Sequence, residues 1–245
     1  MELEIAVLSR TGGRSHNEDA CGFWSGPSVC FCVLADGAGG HRGGDVASKL
    51  VVREMLGWFH ETHAWGAEAI EAAIRHANQM LVREQQACPD IADMRATVVV
   101  LAIDYDHALA TWGHVGDSRL YCFRGGVMAA QTRDHSVVQS MVDAGYLKPG
   151  DVRGAPERNQ LLAALGDPAH CEPEVQREPF AVQPQDAFLI CTDGLWEYVE
   201  EREMIEALHG AVAAEDWLRT LESHVLARGH PRHDNYSALA VRCKS

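Results

Sequence analysis

The chain is poor in basic residues for its acidity: 21 Lys and Arg stand against 35 Asp and Glu, a net charge of -14 over 245 residues. That balance excludes the basic stripes that nucleic-acid backbones and anionic membrane surfaces require. No stretch approaches the ~18 consecutive apolar residues of a membrane span. The opening MELEIAVLSR is acidic and too short in apolar residues for a signal peptide. The eight cysteines include no CxxC pair, and Cys30, Cys32 and Cys191 lie inside apolar runs. That is the usage of buried, reduced thiols, so the expected compartment is the cytoplasm rather than an oxidising one. His60 and His63 share a helical stretch without cysteine partners, which is not zinc spacing. There is no GxSxG elbow, and GAGGHRGG lacks the lysine of a P-loop. Without repeats, low-complexity segments or linkers, residues 1–245 read as a single domain, and 47% hydrophobic residues suffice for a sizeable core.

What the chain does contain is organised around Val29 to His41, VCFCVLADGAGGH. Seven apolar residues, the length of a buried strand, end at Asp36, and Gly37, Gly39 and Gly40 follow. Taken alone, a strand with an ordinary Asp-Gly turn explains this equally well. The arrangement recurs, however. Phe188 to Asp193 reads FLICTD before Gly194, and Ala108 to Asp117 ends in GHVGD before Ser118-Arg119. Three apolar runs thus each deliver a carboxylate at one end, as at one rim of a sheet structure.

Periodicity predicts strands over Leu3–Leu8, Ala20–Trp24, Ala96–Tyr105, Ala108–Val115, Arg119–Phe123, Glu174–Val182, Ala187–Cys191 and Ser237–Cys243. Helices are expected over Gly43–His60, Ala67–Gln86, Ser136–Ala144, Trp196–Leu208 and Ala211–Ala227. The turns between residues 96 and 126 are too short for crossover helices, so these strands should pair antiparallel with their chain neighbours. Strand runs with paired helices favour an α+β layered fold. Gly145 to Asn159, with two prolines and many charges, reads as a mobile surface segment.

The acids at element ends are Glu18, Asp19, Asp36, Asp117, Asp193 and Asp234. Oxygen-only ligands select hard cations, Mg2+ or Mn2+. Several carboxylates can hold two such ions about 3.5–4 Å apart, supplying a hydroxide near neutral pH without a nucleophilic Ser or Cys. Hydrolysis of a phosphate ester is the chemistry such a site suits. His41, His114 and His135 are candidate general acids. Trp24, Trp112 and Trp196 read as core aromatics, and Arg133-Asp134-His135 as a structural entry to the following helix.

The ordered set Arg14-Ser15-His16-Asn17-Glu18-Asp19, Ala35-Asp36-Gly37-Ala38-Gly39-Gly40-His41, Gly116-Asp117-Ser118-Arg119, Thr132-Arg133-Asp134-His135-Ser136, Thr192-Asp193-Gly194-Leu195-Trp196 and Asp234-Asn235 resembles the PP2C-type (PPM) metal-dependent serine/threonine protein phosphatases, most of all their compact bacterial branch. Each motif is weak alone, but they run in the family's order from residue 14 to residue 235. The resemblance implies a central β-sandwich of two antiparallel sheets flanked on both faces by helix pairs. It implies two core Mn2+ or Mg2+ ions with a possible third, and a bridging hydroxide that attacks phosphoserine or phosphothreonine in line without a phosphoenzyme. By the same resemblance Asp36 bridges the ions and the Gly37 carbonyl ligates the second. Asp193 and Asp234 hold the first, Glu18 the second, and Asp19 an ion-bound water. Asp117 holds the third ion with Asp193, and Arg14 binds the substrate phosphate. The implied partners are phosphorylated Ser/Thr proteins and a cognate Ser/Thr kinase, met by a cytoplasmic monomer. Ala38 departs from the family, many of whose members carry a histidine there as proton donor to the leaving group. The segment 145–159 matches the family's flap, whose charges, Lys148, Asp151, Arg153, Glu157 and Arg158, are candidates for touching the phosphoprotein. A catalytically silent phosphoprotein-binding protein and a hydrolase of small phosphate esters are the competing readings.

Overall fold

The computed structural model describes residues 1–168 and 171–244, without the side chains of 40–42. In chain order it contains β1 (Glu2–Arg10), β2 (Asp19–Ser25), β3 (Val29–Ala38), α1 (Gly40–Thr62), α2 (Ala67–Ala87), β4 (Arg95–Ala96), β5 (Val98–Asp104), β6 (Leu109–Val115), β7 (Arg119–Arg124) and β8 (Val127–Gln131). These are followed by α3 (Val137–Asp143), β9 (Glu174–Val175), β10 (Phe180–Ala181), β11 (Ala187–Cys191), α4 (Asp193–Trp196), α5 (Glu201–Gly210), α6 (Ala214–Arg228) and β12 (Tyr236–Lys244). Short 3-10 turns cover Pro89–Ile91 and Pro149–Gly154. No helix among the described residues is long and apolar enough to cross a membrane.

Two antiparallel sheets form the centre. One runs β1-β12-β11-β7-β8; the other runs β10-β6-β5-β3-β2, with β4 added to β3 and β9 to β6. The alternation of strand side chains explains the layering. In β3, Val29, Phe31, Val33 and Ala35 join the core under α1 and α2, while Cys30, Cys32 and Leu34 join the core between the sheets. In β11, Ala187, Leu189 and Cys191 face the core under α4 to α6, and Phe188 and Ile190 face the other sheet. Both strands are buried on both faces, which is why they read as unbroken apolar runs. The outer helices dock by large aromatics: Phe59 of α1 stacks on Phe31 at 3.9 Å, and Trp217 of α6 meets Phe123 edge-on at 5.8 Å. The result is the α-β-β-α sandwich of the expected α+β class.

Several boundaries differ from those expected. Strand β3 does not stop at Ala35. It continues through Asp36, Gly37 and Ala38, because β4 pairs with its end (Gly37 opposite Ala96, Ala38 opposite Arg95). β6 and β7 are chain neighbours but do not pair. Gly116, at φ +103°, turns the chain from one sheet to the other, so the link crosses the sandwich. Strand β8 went unread because its VMAAQ is exposed and pairs only along an edge. The run 174–182 is two short pieces joined to β6, and the run 193–210 is two helices separated near Val199. The segment 145–159 is also better anchored than its composition suggests. Val152 and Ala155 are buried, Arg153 bonds the Trp196 and Val199 carbonyls and Glu201, and Arg158 pairs with Glu197.

Candidate active site

Every strand that carries a predicted acid brings it to the same end of the sandwich. β1 ends and β12 begins there, and the loop after β1 lies against the turn before β12: Gly13 N donates to the His233 carbonyl. Asn235 ties the two together, its amide donating to the Thr11 and His16 carbonyls and its Oδ1 accepting from the Glu18 N–H. Asp36 continues the parity of Cys30, Cys32 and Leu34, so it belongs to the face between the sheets. Asp19 opens β2 directly opposite it in register. Asp193 opens α4 just past β11, and Asp117 lies in the link between β6 and β7. The cleft they form, about 250 Å³, is lined by Arg14, Glu18, Asp36, Gly37, Asp117, Asp193 and Asp234. Asp19 is buried behind it, 5% exposed.

Supporting bonds hold the acids in place. Thr97 Oγ1 accepts from the Asp36 N–H at 3.0 Å and shares a hydrogen bond with Ser118 Oγ at 2.7 Å. Thr192 Oγ1 donates to Asp19 Oδ2 at 3.0 Å and accepts from the Ser237 N–H. Trp196 Nε1 donates to the Asp117 carbonyl. Arg119 lies 3.6 Å over the Trp196 ring and forks onto Asp134 at 2.8 and 2.7 Å, wholly inside the protein. Gly37 has no room for a side chain, since a Cβ there would stand 1.9 Å from the Gly44 carbonyl.

Electrostatically the cluster is dominated by negative charge. Like charges directly opposite on neighbouring strands repel, and Asp19 and Asp36 are so placed. Burial, then the charges of Asp19, Asp193, Asp117 and Asp234, pushes the Asp36 carboxyl well above the usual carboxylate range. Burial and the charge of Asp117 do the same to Asp193. Asp19 and Asp117 are each pushed up to about 7, chiefly by burial, and Glu18 is raised by burial and by Asp234. The Oδ1 atoms of Asp19 and Asp193 are buried with no hydrogen-bond partner. One predicted basic group reaches the acids: Arg14 Nη2 bonds Asp234 Oδ2 at 2.6 Å, on the exposed lip. Orphaned carboxylate oxygens, mutual repulsion and an all-oxygen donor set fit hard divalent cations.

The remaining candidates fall outside the cleft. The His41 side chain lies outside the described residues. His114 is buried, donates Nε2–H to the Arg133 carbonyl at 2.6 Å, and has its pKa lowered by burial and by His135. His135 stacks on it at 4.6 Å. With Glu174 they form the one trio of His, Cys, Asp or Glu among the described residues whose donor atoms all lie within 4.8 Å of one another. The Gly116 N–H points at His135 Nδ1, so the ring proton belongs on Nε2, 3.6 Å from Glu174. The two rings support the turn before Asp117, His135 accepting from the Gly116 N–H and stacking on His114, and neither histidine lines the cleft. Among the described residues the cleft acids form no such close trio, so their donor atoms are spread more widely around the cleft. Of the three tryptophans, Trp196 does more than fill the core, because it fixes Asp117. Sequence reasoning missed Thr97 and Arg95, and named Thr192 only within its motif, without its supporting role. The two threonines are small hydroxyls inside apolar runs, and Arg95 reaches the cleft only through the β3–β4 pairing.

A metal-ion phosphatase of the α-β-β-α class is what this fold and cleft describe, and comparison with known proteins gives the family. The Protein phosphatase 2C profile matches residues 9–228, and the chain belongs to that family. It is 36% identical over 201 residues to the serine/threonine phosphatase stp of Listeria innocua, covering 80% of this chain and 78% of that protein. The structure of Stp1, a serine/threonine phosphatase from Staphylococcus aureus, superposes with a TM-score of 0.89 at 26% identity, covering 100% of this chain and 96% of that one. The catalytic domain of the serine/threonine phosphatase PstP, solved with two manganese ions, gives 0.82 at 29% identity, covering 99% of each chain.

Proposed function

We propose that residues 1–245 form one protein serine/threonine phosphatase domain that works with two Mn2+ or Mg2+ ions and a more weakly held third. The observation that carries this reading is the in-register opposition of Asp19 and Asp36 beside the orphaned oxygens of Asp19 and Asp193. That arrangement is costly without cations and apt with them. When bound, the ions supply an acidified water as nucleophile and neutralise charge on the phosphoryl group. Asp36 would serve both core ions, with the Gly37 carbonyl on the second. Asp193 and Asp234 would serve the first, Glu18 the second, and Asp19 would orient water from behind the cleft. Asp117, shared with Asp193, would serve the third. Arg14, on the exposed lip, takes the substrate phosphate with its guanidinium fork and aligns phosphorus for in-line displacement without a phosphoenzyme. Ala38 offers no proton, so protonation of the serine or threonine leaving group falls to water or to another residue.

The substrates are phosphorylated Ser/Thr proteins, a cognate Ser/Thr kinase among them, met by a monomer in the cytoplasm. With every predicted acid present, a silent phosphoprotein-binding role is disfavoured. The deciding experiment compares kcat/KM for a phosphothreonine peptide with that for small phosphate esters at saturating Mn2+. The expected result is a preference for the peptide of at least about tenfold, or ~1.4 kcal/mol. Preference for the small esters makes the protein a small-molecule hydrolase. Ion binding without turnover makes it a silent one.

A further inference from the structure

Arg95 is a second guanidinium in the cleft, and no acid among the described residues pairs with it. It sits on β4 opposite Ala38 and lines the same cleft as Arg14 and the carboxylates. Its backbone is fixed on both sides. Met94 is fully buried, and Ala96 exchanges two hydrogen bonds with Leu165 (3.2 and 2.8 Å). Among the described residues Arg95 makes one side-chain hydrogen bond, Nη1 to the neighbouring Met94 carbonyl at 3.1 Å, and no ion pair. In a chain of net charge -14, most arginines find a carboxylate; Arg14, in the same cleft, pairs with Asp234. The facing residue, Ala38, is exposed and too small to cover the guanidinium.

The register gives its distance from the chemistry. Ala38 is two residues beyond Asp36, about 6.6 Å along β3 at ~3.3 Å per residue, and Arg95 is one strand further, about 5 Å. An extended peptide advances about 3.3–3.6 Å per residue. A guanidinium at that offset meets a side chain one to two residues from the phosphoresidue.

We propose that Arg95 is a specificity-determining residue that binds a second anionic group, a carboxylate or a second phosphate, next to the phosphoserine or phosphothreonine being hydrolysed. The inference rests on the phosphatase reading above and names a class of substrate for it: acidic or multiply phosphorylated segments. Arg is suited to either anion because its fork bonds two oxygens at once.

The test measures kcat/KM at saturating Mn2+ for one phosphothreonine peptide whose two flanking positions on each side carry Ala, Glu, Lys or a second phosphothreonine. The wild type should favour the Glu or doubly phosphorylated peptides over the Ala peptide about three- to tenfold, expressed mainly in KM. Arg95→Ala should bring that ratio close to one, and Arg95→Glu should invert it toward the Lys peptide. Glu and second-phosphate arms that differ tell which anion is read. A wild type with no flank preference, or an Arg95→Glu that lowers every peptide alike, overturns the assignment. Hydrolysis of an aryl phosphate by the wild type in the same buffer separates the two claims. If it is absent, the phosphatase reading fails. If it is present with no flank preference, only the role of Arg95 fails.

Discussion

Neutralising Asp36 should stabilise the metal-free protein while abolishing its activity. Asp36 and Asp19 are opposed in register, and Asp193, Asp117 and Asp234 all add repulsion. Two charges about 5 Å apart at an effective dielectric near 20 repel by ~3 kcal/mol, and proton uptake caps what the fold actually bears. Taking about 2 kcal/mol as the relief, and about 2–4 °C per kcal/mol for a domain of this size, Asp36→Asn should melt about 4–8 °C above wild type in EDTA at pH 8. At millimolar Mn2+ the order should reverse, because the wild type gains ligand-binding stability that the variant lacks. The assay is thermal unfolding of both proteins with and without Mn2+, with turnover measured on the same samples. A variant that melts below wild type in EDTA and keeps the full Mn2+ increment would show an ordinary structural carboxylate and refute the reasoning.

Two further outcomes follow from the same geometry. Arg14→Ala should act largely on KM for a phosphopeptide, because the phosphate contact proposed for it would be made in the ground state and kept in the transition state. Asp117→Ala should lower kcat with little change in KM and leave two ions bound by calorimetry; loss of all ion binding in that variant would put Asp117 in the core pair. Away from the cleft, Arg228 hydrogen-bonds Glu203 and holds its carboxyl down at about 2, below its ordinary 4.5. That contribution is present above pH ~4.5 and lost as pH falls through ~2, so Glu203→Gln should cost about 1–2 kcal/mol at pH 7 and nothing near pH 2 in denaturant titrations.

Three of the acids were legible in the sequence because each follows an apolar run, and such a run buried on both faces has one exit to solvent. Asp36, Asp117 and Asp193 were found that way, and Arg14, Glu18, Asp19 and Asp234 by their motifs. What was not legible depends on contacts between distant segments. The extension of β3 past Asp36 requires β4, two residues long and some sixty positions away, and with it comes Arg95. The crossing from β6 to β7 depends on one glycine at positive φ, which looks in sequence like any other tight turn. The anchoring of residues 145–159 rests on Arg153 and Arg158, whose partners Glu201 and Glu197 lie 48 and 39 residues on. Charges that read as a solvated flap are therefore largely spent on the protein itself.

The most direct test of the central claim is a titration of Mn2+ into metal-stripped protein, following phosphothreonine-peptide turnover and ion stoichiometry together. Turnover should be absent in excess EDTA, rise as two ions bind, and disappear in Asp193→Asn at every Mn2+ concentration. Undiminished hydrolysis in excess chelator, or an Asp193→Asn variant retaining more than about a tenth of wild-type kcat at saturating Mn2+, would contradict the assignment of this carboxylate cluster as a metal-dependent phosphatase site.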